Sequence, residues 1–265
     1  MPDVPAHEHQ RLLMAAGMER SQLAAGGAIP ADVQEQFDAL VAKRQAGMPL
    51  QYLEGTVQFG PIELAIDERA LIPRPETEVL WEDAVQSLGE AGPGTVIVDM
   101  CTGSGNLALA LKHAFPHARV IGTDTSASAL ALAGENSQRT GLEVEWLKGD
   151  LFDALPERVK GRIDLLVSNP PYVTEAEFDD LGPEIRQHEP REALVAGATG
   201  TEVLARLADE AFWWLGIGGW LFAEIGETQG AAADELFGAL DREVRQDLAG
   251  KDRYVAGRKG ASCCI

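Results

Sequence analysis

The chain has 265 residues and a formal net charge of −20, with 42 acidic against 22 basic side chains. A surface this acidic repels a phosphate backbone unless its cations gather on one face, and the largest basic run is only Lys43-Arg44. No apolar run approaches the ~20 residues of a membrane helix, Met1–Pro5 carries no export signal, and three cysteines fit a reducing cytoplasm better than a disulfide scaffold.

Residues 1 to about 47 are predicted to be helical. Val33, Phe37, Leu40 and Val41 fall on one helical stripe, opened by Pro30 and closed by Gly47 and Pro49. Leu12, Leu13 and Ala16 predict an earlier helix, with Gly26-Gly27 as the break. So few helices bury little surface alone, which makes them a small cap leaning on something larger. Gln51–Gly60 and Ile62–Ile66 alternate apolar with polar or small residues around Gly60-Pro61 and read as a β-hairpin. Pro75 suits the first turn of a helix continued by Leu80, Ala84 and Leu88. After Gly92-Pro93-Gly94, strands are expected at 95–99, 119–123, 143–148, 163–168 and 219–225. Helices are expected near 105–114, 126–139, 200–215 and 228–240. This alternation predicts an α/β fold, a doubly wound and mostly parallel sheet. Glu243–Leu248 and Arg253–Ala256 read as a C-terminal hairpin that adds one antiparallel strand. The predicted divisions are a helical cap at 1–50, a hairpin linker at 51–75 and a catalytic domain at 76–265. Cys263 and Cys264 are expected to be exposed thiols.

The chemistry concentrates at the carboxyl ends of the predicted strands, where open α/β sheets bind ligands. The first strand-to-helix junction reads Asp99-Met100-Cys101-Thr102-Gly103-Ser104-Gly105. A glycine-rich turn there lets a ligand approach the backbone closely. Gly103-x-Gly105-x-x-Ala108, with Asp124 about 20 residues on, also matches the dinucleotide fingerprint. Asp99, however, is an acid where a pyrophosphate is unwelcome. S-adenosylmethionine carries an amino group, a sulfonium and no phosphate, and suits an acidic turn better. Asp124 ends the second strand, either to accept from ribose hydroxyls or to cap the following helix. Asp150, followed by Leu151 and Phe152, reads as a ligand for an adenine amino group or as a plain turn aspartate. Arg74 and Glu76 read as a capped helix start or as substrate contacts. No metal site is predicted.

The fourth strand ends in Asn169-Pro170-Pro171-Tyr172. Neither proline can donate to a ladder, so the chain must leave the sheet here. A stiff loop then presents an amide, a proline carbonyl and an aromatic ring. The Asn169 side-chain oxygen and the Pro170 carbonyl can accept both N–H bonds of a planar NH₂, orienting a weakly nucleophilic nitrogen for methylation. Tyr172 can pack on the flat group that carries it. The alternative is a structural Pro-Pro turn.

These stretches together resemble the S-adenosylmethionine-dependent protein glutamine N5-methyltransferases, and among them the release factor methyltransferases. The resemblance runs through Pro49–Leu53, Leu71–Glu78, Asp99–Gly105, Asp124, Gly149–Phe152, Asn169–Tyr172, Glu189–Leu194, Glu224–Gly226 and Asp247–Arg253. It implies a class I methyltransferase fold with S-adenosyl-L-methionine as cofactor and S-adenosyl-L-homocysteine as product. The implied acceptor is the Gln of the Gly-Gly-Gln loop of class I peptide chain release factors, which ties the activity to translation termination. The implied catalytic residues are Asn169, Pro170 and Tyr172, with Pro171, Arg74 and Glu76 also at the substrate. The implied cofactor residues are Asp99, Cys101, Thr102, Gly103, Ser104, Gly105, Asp124, Asp150, Leu151 and Asn169. A monomer that binds neither nucleic acid nor membrane is expected, its cap helping to dock the protein substrate. The chain departs from the family's pattern three times. Cys101 replaces the first Gly of the loop, Leu151 stands where some members have Trp, and Ala198-Thr199-Gly200 lacks an expected acid. Competing readings are a nucleobase amino methyltransferase, a methyltransferase of another protein or peptide glutamine, and a non-catalytic binding module.

Overall fold

The computed structural model describes residues 4–247 and 249–261, so the expectations for Cys263, Cys264 and Leu248 fall outside the described residues. The cap consists of α1 (Ala6–Ala15), α2 (Arg20–Ala24), α3 (Ala31–Gln45) and α4 (Leu50–Glu54). Leu12, Leu13, Phe37, Val41, Leu50 and Leu53 close a small core of their own. The predicted strand from Gln51 does not begin there. Pro49 sets the backbone for a helical turn, Leu50 and Leu53 share its inner face, and Gly55 ends it in a left-handed conformation at φ 71°. Only Thr56–Phe59 remains extended, as β1, paired antiparallel with β2 (Ile62–Ala65). Phe59, Ile62 and Leu64 are buried in the same cluster as the sheet and its helices.

α5 (Pro75–Leu88) starts with Pro75 in its first turn. The alternating region follows as β3 (Val96–Met100), α6 (Asn106–Ala114), β4 (Arg119–Asp124), α7 (Ala127–Thr140), β5 (Glu145–Lys148) and β6 (Ile163–Ser168). Beyond the Asn-Pro-Pro-Tyr loop lies a segment that periodicity does not reveal: β7 (Val173–Thr174), α8 (Glu175–Asp180), α9 (Pro183–His188) and β8 (Val195–Gly197). The chain ends with α10 (Glu202–Trp214), β9 (Leu215–Glu224), α11 (Gly230–Leu236), β10 (Asp241–Gln246) and β11 (Asp252–Arg258).

The main sheet has seven strands in the order β10-β11-β9-β6-β3-β4-β5. β11 is antiparallel to both neighbours, while β9, β6, β3, β4 and β5 pair in parallel. The expected single antiparallel strand is therefore β11. β3 lies between β4 and β6, so the chain reverses its winding direction there and opens a crevice at the carboxyl edge. Side chains alternate across the sheet: Val98 and Met100 enter the core on one face, Ile97 the core on the other. Among the described residues no helix is long and apolar enough to cross a membrane.

Candidate active site

A cavity of about 280 Å³ lies at the winding reversal, over the carboxyl ends of β3, β4 and β6. Its floor is the turn from β3 into α6. Gly103 (φ 55°) and Gly105 (φ 84°) both take left-handed backbone there. At Gly105 a Cβ would come within 2.8 Å of the Trp146 ring, and at Gly122 within 2.3 Å. The turn and β4 are thus held against one indole, and the glycines are fixed by close approach as well as by φ. Cys101, Thr102, Gly103 and Ser104 all line the cavity.

Cys101 adopts φ 59°, a left-handed conformation that a glycine takes without strain. Burial pushes its thiol up to about 12, so it stays protonated. Replacing Cys101 with Gly removes a left-handed Cβ and is expected to raise stability by about 1 kcal/mol. Thermal melting checks this, and donor affinity is expected to stay within about threefold, ~0.7 kcal/mol.

Asp124 reaches the cavity from the end of β4. Its Oδ2 accepts from the Gly103 N–H (2.9 Å) and its Oδ1 from the Ser126 N–H (2.8 Å). Ser126, not Asp124, caps α7, accepting from the Ala129 N–H. Each Asp124 oxygen keeps a lone pair for a hydroxyl. Burial raises the pKa of its carboxyl. Asp99 sits differently. It is buried beneath the turn, where Oδ2 accepts from Thr102 Oγ1 (2.5 Å) and the Ala108 N–H (3.0 Å). It does not line the cavity. Its position one residue before the end of β3 holds it in the sheet, so it secures the turn from below, apart from the residues that line the cavity. Burial pushes its carboxyl up to about 7. Asp150 lines the cavity, but its Oδ2 already accepts from Arg206 (2.8 Å). Leu151 is buried beside it.

The cavity fits S-adenosylmethionine better than a dinucleotide. It is lined by three acids, Asp124, Asp150 and Glu192, and by two cations, Arg69 and Arg206. Arg69 is committed to Asp67 and Glu135, and Arg206 to Asp150. An ammonium and a sulfonium gain from such a lining, whereas a pyrophosphate does not. The buried Ser104 hydroxyl, which has no partner among the described residues, adds a polar group for a ligand.

A second cavity, of about 220 Å³, adjoins the first. The two share Leu71, Asn169 and Ala193. Tyr172, Val173, Arg74, Leu194, Leu181 and Ile185 complete the second, the last two from the unpredicted α8–α9 segment. Asn169 is therefore the polar side chain at the junction. Its Nδ2 donates to Thr77 Oγ1 (3.2 Å), and its Oδ1 has no partner among the described residues. No donor among the described residues reaches the Pro170 carbonyl, and Pro170 itself is buried. Pro171 lines the first cavity. The Tyr172 hydroxyl donates to Glu224 Oε1 (3.2 Å), and burial, then the Glu224 charge, raises its pKa. Gln229 fixes the loop's exit, donating to the Tyr172 carbonyl (2.9 Å) and the Gly200 carbonyl (3.1 Å).

Two expected substrate contacts are placed differently from each other. Arg74 lines the second cavity while donating to the buried Glu189 (2.6 Å). Glu76 lines neither cavity and faces Arg253 at 4.0 Å, because the first turn of α5 points it toward β11. The loop at Ala198-Thr199-Gly200 has no acid of its own, but Glu202, the first residue of α10, reaches back to it. Glu202 Oε1 accepts from the Thr199 N–H at 2.7 Å. Thr77, Glu224 and Glu189 were not legible as site residues, because each meets its partners only across the fold.

Residues 3–55 match the PrmC N-terminal domain, and residues 83–197 match the Methyltransferase small domain. The release factor glutamine methyltransferase of Deinococcus radiodurans is 39% identical over 264 residues, 97% of this chain and 91% of that protein. That of Geobacter sulfurreducens is 39% identical over 224 residues, 83% of this chain and 77% of that protein. Among solved structures, the T. thermophilus 16S rRNA N2 G1207 methyltransferase (RsmC), in complex with AdoMet and guanosine, superposes with a TM-score of 0.56 at 20% identity. It covers 77% of this chain and 49% of that protein, a likeness of fold alone. With this identity across nearly its whole length, the chain belongs to the release factor glutamine methyltransferases, S-adenosylmethionine-dependent enzymes of the class I fold.

Proposed function

We propose that this protein methylates the side-chain amide nitrogen of the Gln in the Gly-Gly-Gln loop of class I peptide chain release factors. The observation that carries the reading is the Asn169 Oδ1, without a partner among the described residues, at the junction of the two cavities. When bound in the first cavity, S-adenosylmethionine supplies an electrophilic methyl group on a sulfonium. Gly103, Ser104 and Asp124 hold it there, with Cys101, Thr102, Asp150 and Leu151 completing the wall. A glutamine side chain entering the second cavity offers a planar NH₂. Asn169 Oδ1 and the Pro170 carbonyl each accept one of its N–H bonds, which fixes the nitrogen's direction and stabilises the positive charge it gains. Tyr172, which lines the second cavity, confines the flat amide. An amide nitrogen that has gained a methyl is strongly acidic, so no strong base is required.

The cap, expected at residues 1–50 and extended by α4 to Glu54, is the docking element in this reading. Arg44 of α3 holds Glu8 of α1 at 2.8 Å and Glu184 of α9 at 3.0 Å, so the cap adjoins the segment whose Ile185 lines the acceptor cavity. The acidic surface favours a protein over a nucleic-acid acceptor, in a monomeric cytoplasmic enzyme. Methyl transfer from labelled S-adenosylmethionine to a purified class I release factor tests the reading. Label is expected in the intact factor and lost when its loop Gln is replaced. No labelling at saturating donor, or labelling that survives the replacement, overturns it.

A further inference from the structure

Behind Asn169 lies a chain of hydrogen bonds whose inner members, Thr77 and Glu224, are buried and line neither cavity. Asn169 Nδ2 donates to Thr77 Oγ1 (3.2 Å), and Thr77 Oγ1 donates to Glu224 Oε2 (2.6 Å). Tyr172 OH donates to the other oxygen of the same carboxylate (3.2 Å). Thr77 is 1% and Glu224 3% exposed, so water does not compete for these groups. Thr77 comes from the first turn of α5, Glu224 from the end of β9, and the other two from the loop after β6.

An amide presents a carbonyl on one side and an NH₂ on the other, and only the carbonyl side can receive an acceptor's N–H. Something must therefore stop Asn169 from turning over. We propose that Glu224 and Thr77 are positioning residues that fix the direction of the Asn169 amide, so that its oxygen and not its nitrogen faces the acceptor. The inference rests on the reading of Asn169 as the group that holds the acceptor amide. An ionised carboxylate has no proton to give, so both Thr77 and Tyr172 must donate to it. Thr77 has one hydroxyl proton, and Glu224 takes it. Only a lone pair then remains for Asn169, and Nδ2 must turn inward. The same carboxylate holds the Tyr172 hydroxyl, so one buried charge sets two of the three groups around the acceptor.

This direction holds only while Glu224 is ionised. A protonated Glu224 can donate to Thr77, whose own proton is then free to meet Asn169 Oδ1 and turn the amide over. Burial pushes the Glu224 carboxyl up to about 7. The Thr77 and Tyr172 hydroxyls pull it down, Glu76 of α5 raises it, and Arg253 of β11 lowers it. The turnover number is therefore expected to rise with pH through about 7 and level off above it. Stability runs the other way. Between the ordinary carboxylate pKa and about 7, the folded state binds more protons at Glu224 than the unfolded state, so this group's contribution falls as pH rises.

Methyl transfer to a release factor by the full chain tests the inference with Thr77→Val, Thr77→Ser and Glu224→Gln. Thr77→Val and Glu224→Gln are expected to lower kcat by about 10- to 100-fold, the low end of what a misplaced polar group costs. Donor Kd is expected to stay within about twofold, ~0.4 kcal/mol. Thr77→Ser, which keeps the hydroxyl, is expected to recover kcat to within about threefold, ~0.7 kcal/mol. Glu224→Gln is expected to lose the rise of kcat near pH 7 and to melt no lower than the parent at pH 8. A merely structural role predicts a lower melting point and an unchanged pH profile. Full kcat in both Thr77→Val and Glu224→Gln, a failure of Thr77→Ser to recover, or a parent profile flat across pH 6–8 overturns the inference. If Glu224→Gln does not fold, the two Thr77 variants and the parent profile decide it. An inactive parent chain refutes the acceptor reading instead.

Discussion

Asn169→Ala is expected to lower kcat for methyl transfer by about 10² to 10³, while donor affinity stays within about tenfold. The two numbers separate because of where Asn169 stands. It borders both cavities, but the donor cavity has many other walls, among them Gly103, Ser104 and Asp124. In the acceptor cavity, Leu71, Leu181, Ile185, Ala193 and Leu194 supply apolar surface, and Asn169 supplies the side-chain oxygen at the junction. Removing it leaves the Pro170 carbonyl to orient the NH₂ alone. An amide nitrogen has a delocalised lone pair, so misorientation costs rate rather than ground-state binding. Single-turnover methylation and a donor titration check the two quantities separately. A kcat within about threefold of the parent, ~0.7 kcal/mol, contradicts the role.

Much of this site can be read from residue order. The glycine turn, Asp124 and Asn169–Tyr172 each lie at or just beyond the end of a strand, and strands are legible from short β-branched runs. Parallel pairing then brings their carboxyl ends together. The groups that hold them are hidden. Thr77 and Glu224 lie 147 residues apart, Arg74 and Glu189 lie 115 apart, and no local period links either pair. Asp99 shows the opposite difficulty. Its place at the first junction suggests a ligand contact, but its burial beneath the turn depends on the packing of α6 and β4. The helical turn α4 was masked by an accidental alternation over Gln51–Leu53, where Pro49 and Gly55 outweigh the pattern. The α8–α9 segment escaped because its helices span only six residues each, too short for a helical period to repeat.

Arg74 separates a structural from a substrate role. Its side chain is 29% exposed, but that of its partner Glu189 is only 1% exposed. Glu189 Oε1 accepts from Arg74 at 2.6 Å and Oε2 from the Ile72 N–H at 3.3 Å. Arg74→Met strands a buried carboxylate with one backbone donor, and is expected to destabilise the fold by about 3 kcal/mol. Glu189→Gln costs less alone, because the amide keeps an acceptor for one donor and Arg74 can turn to water. Combining Glu189→Gln with Arg74→Met removes both charges and keeps the volume, so most of the lost stability is expected to return. Urea unfolding of the parent, both single variants and the double variant gives the coupling, expected at roughly 2 kcal/mol. The acceptor KM is the second readout. Arg74 lines the acceptor cavity, so its loss is expected to raise KM in both Arg74 variants, including the one whose stability has recovered. If KM recovers together with stability, Arg74 acts through Glu189 alone and makes no substrate contact. If the coupling is near zero, the buried pair is not what holds the Leu71–Glu78 segment in place.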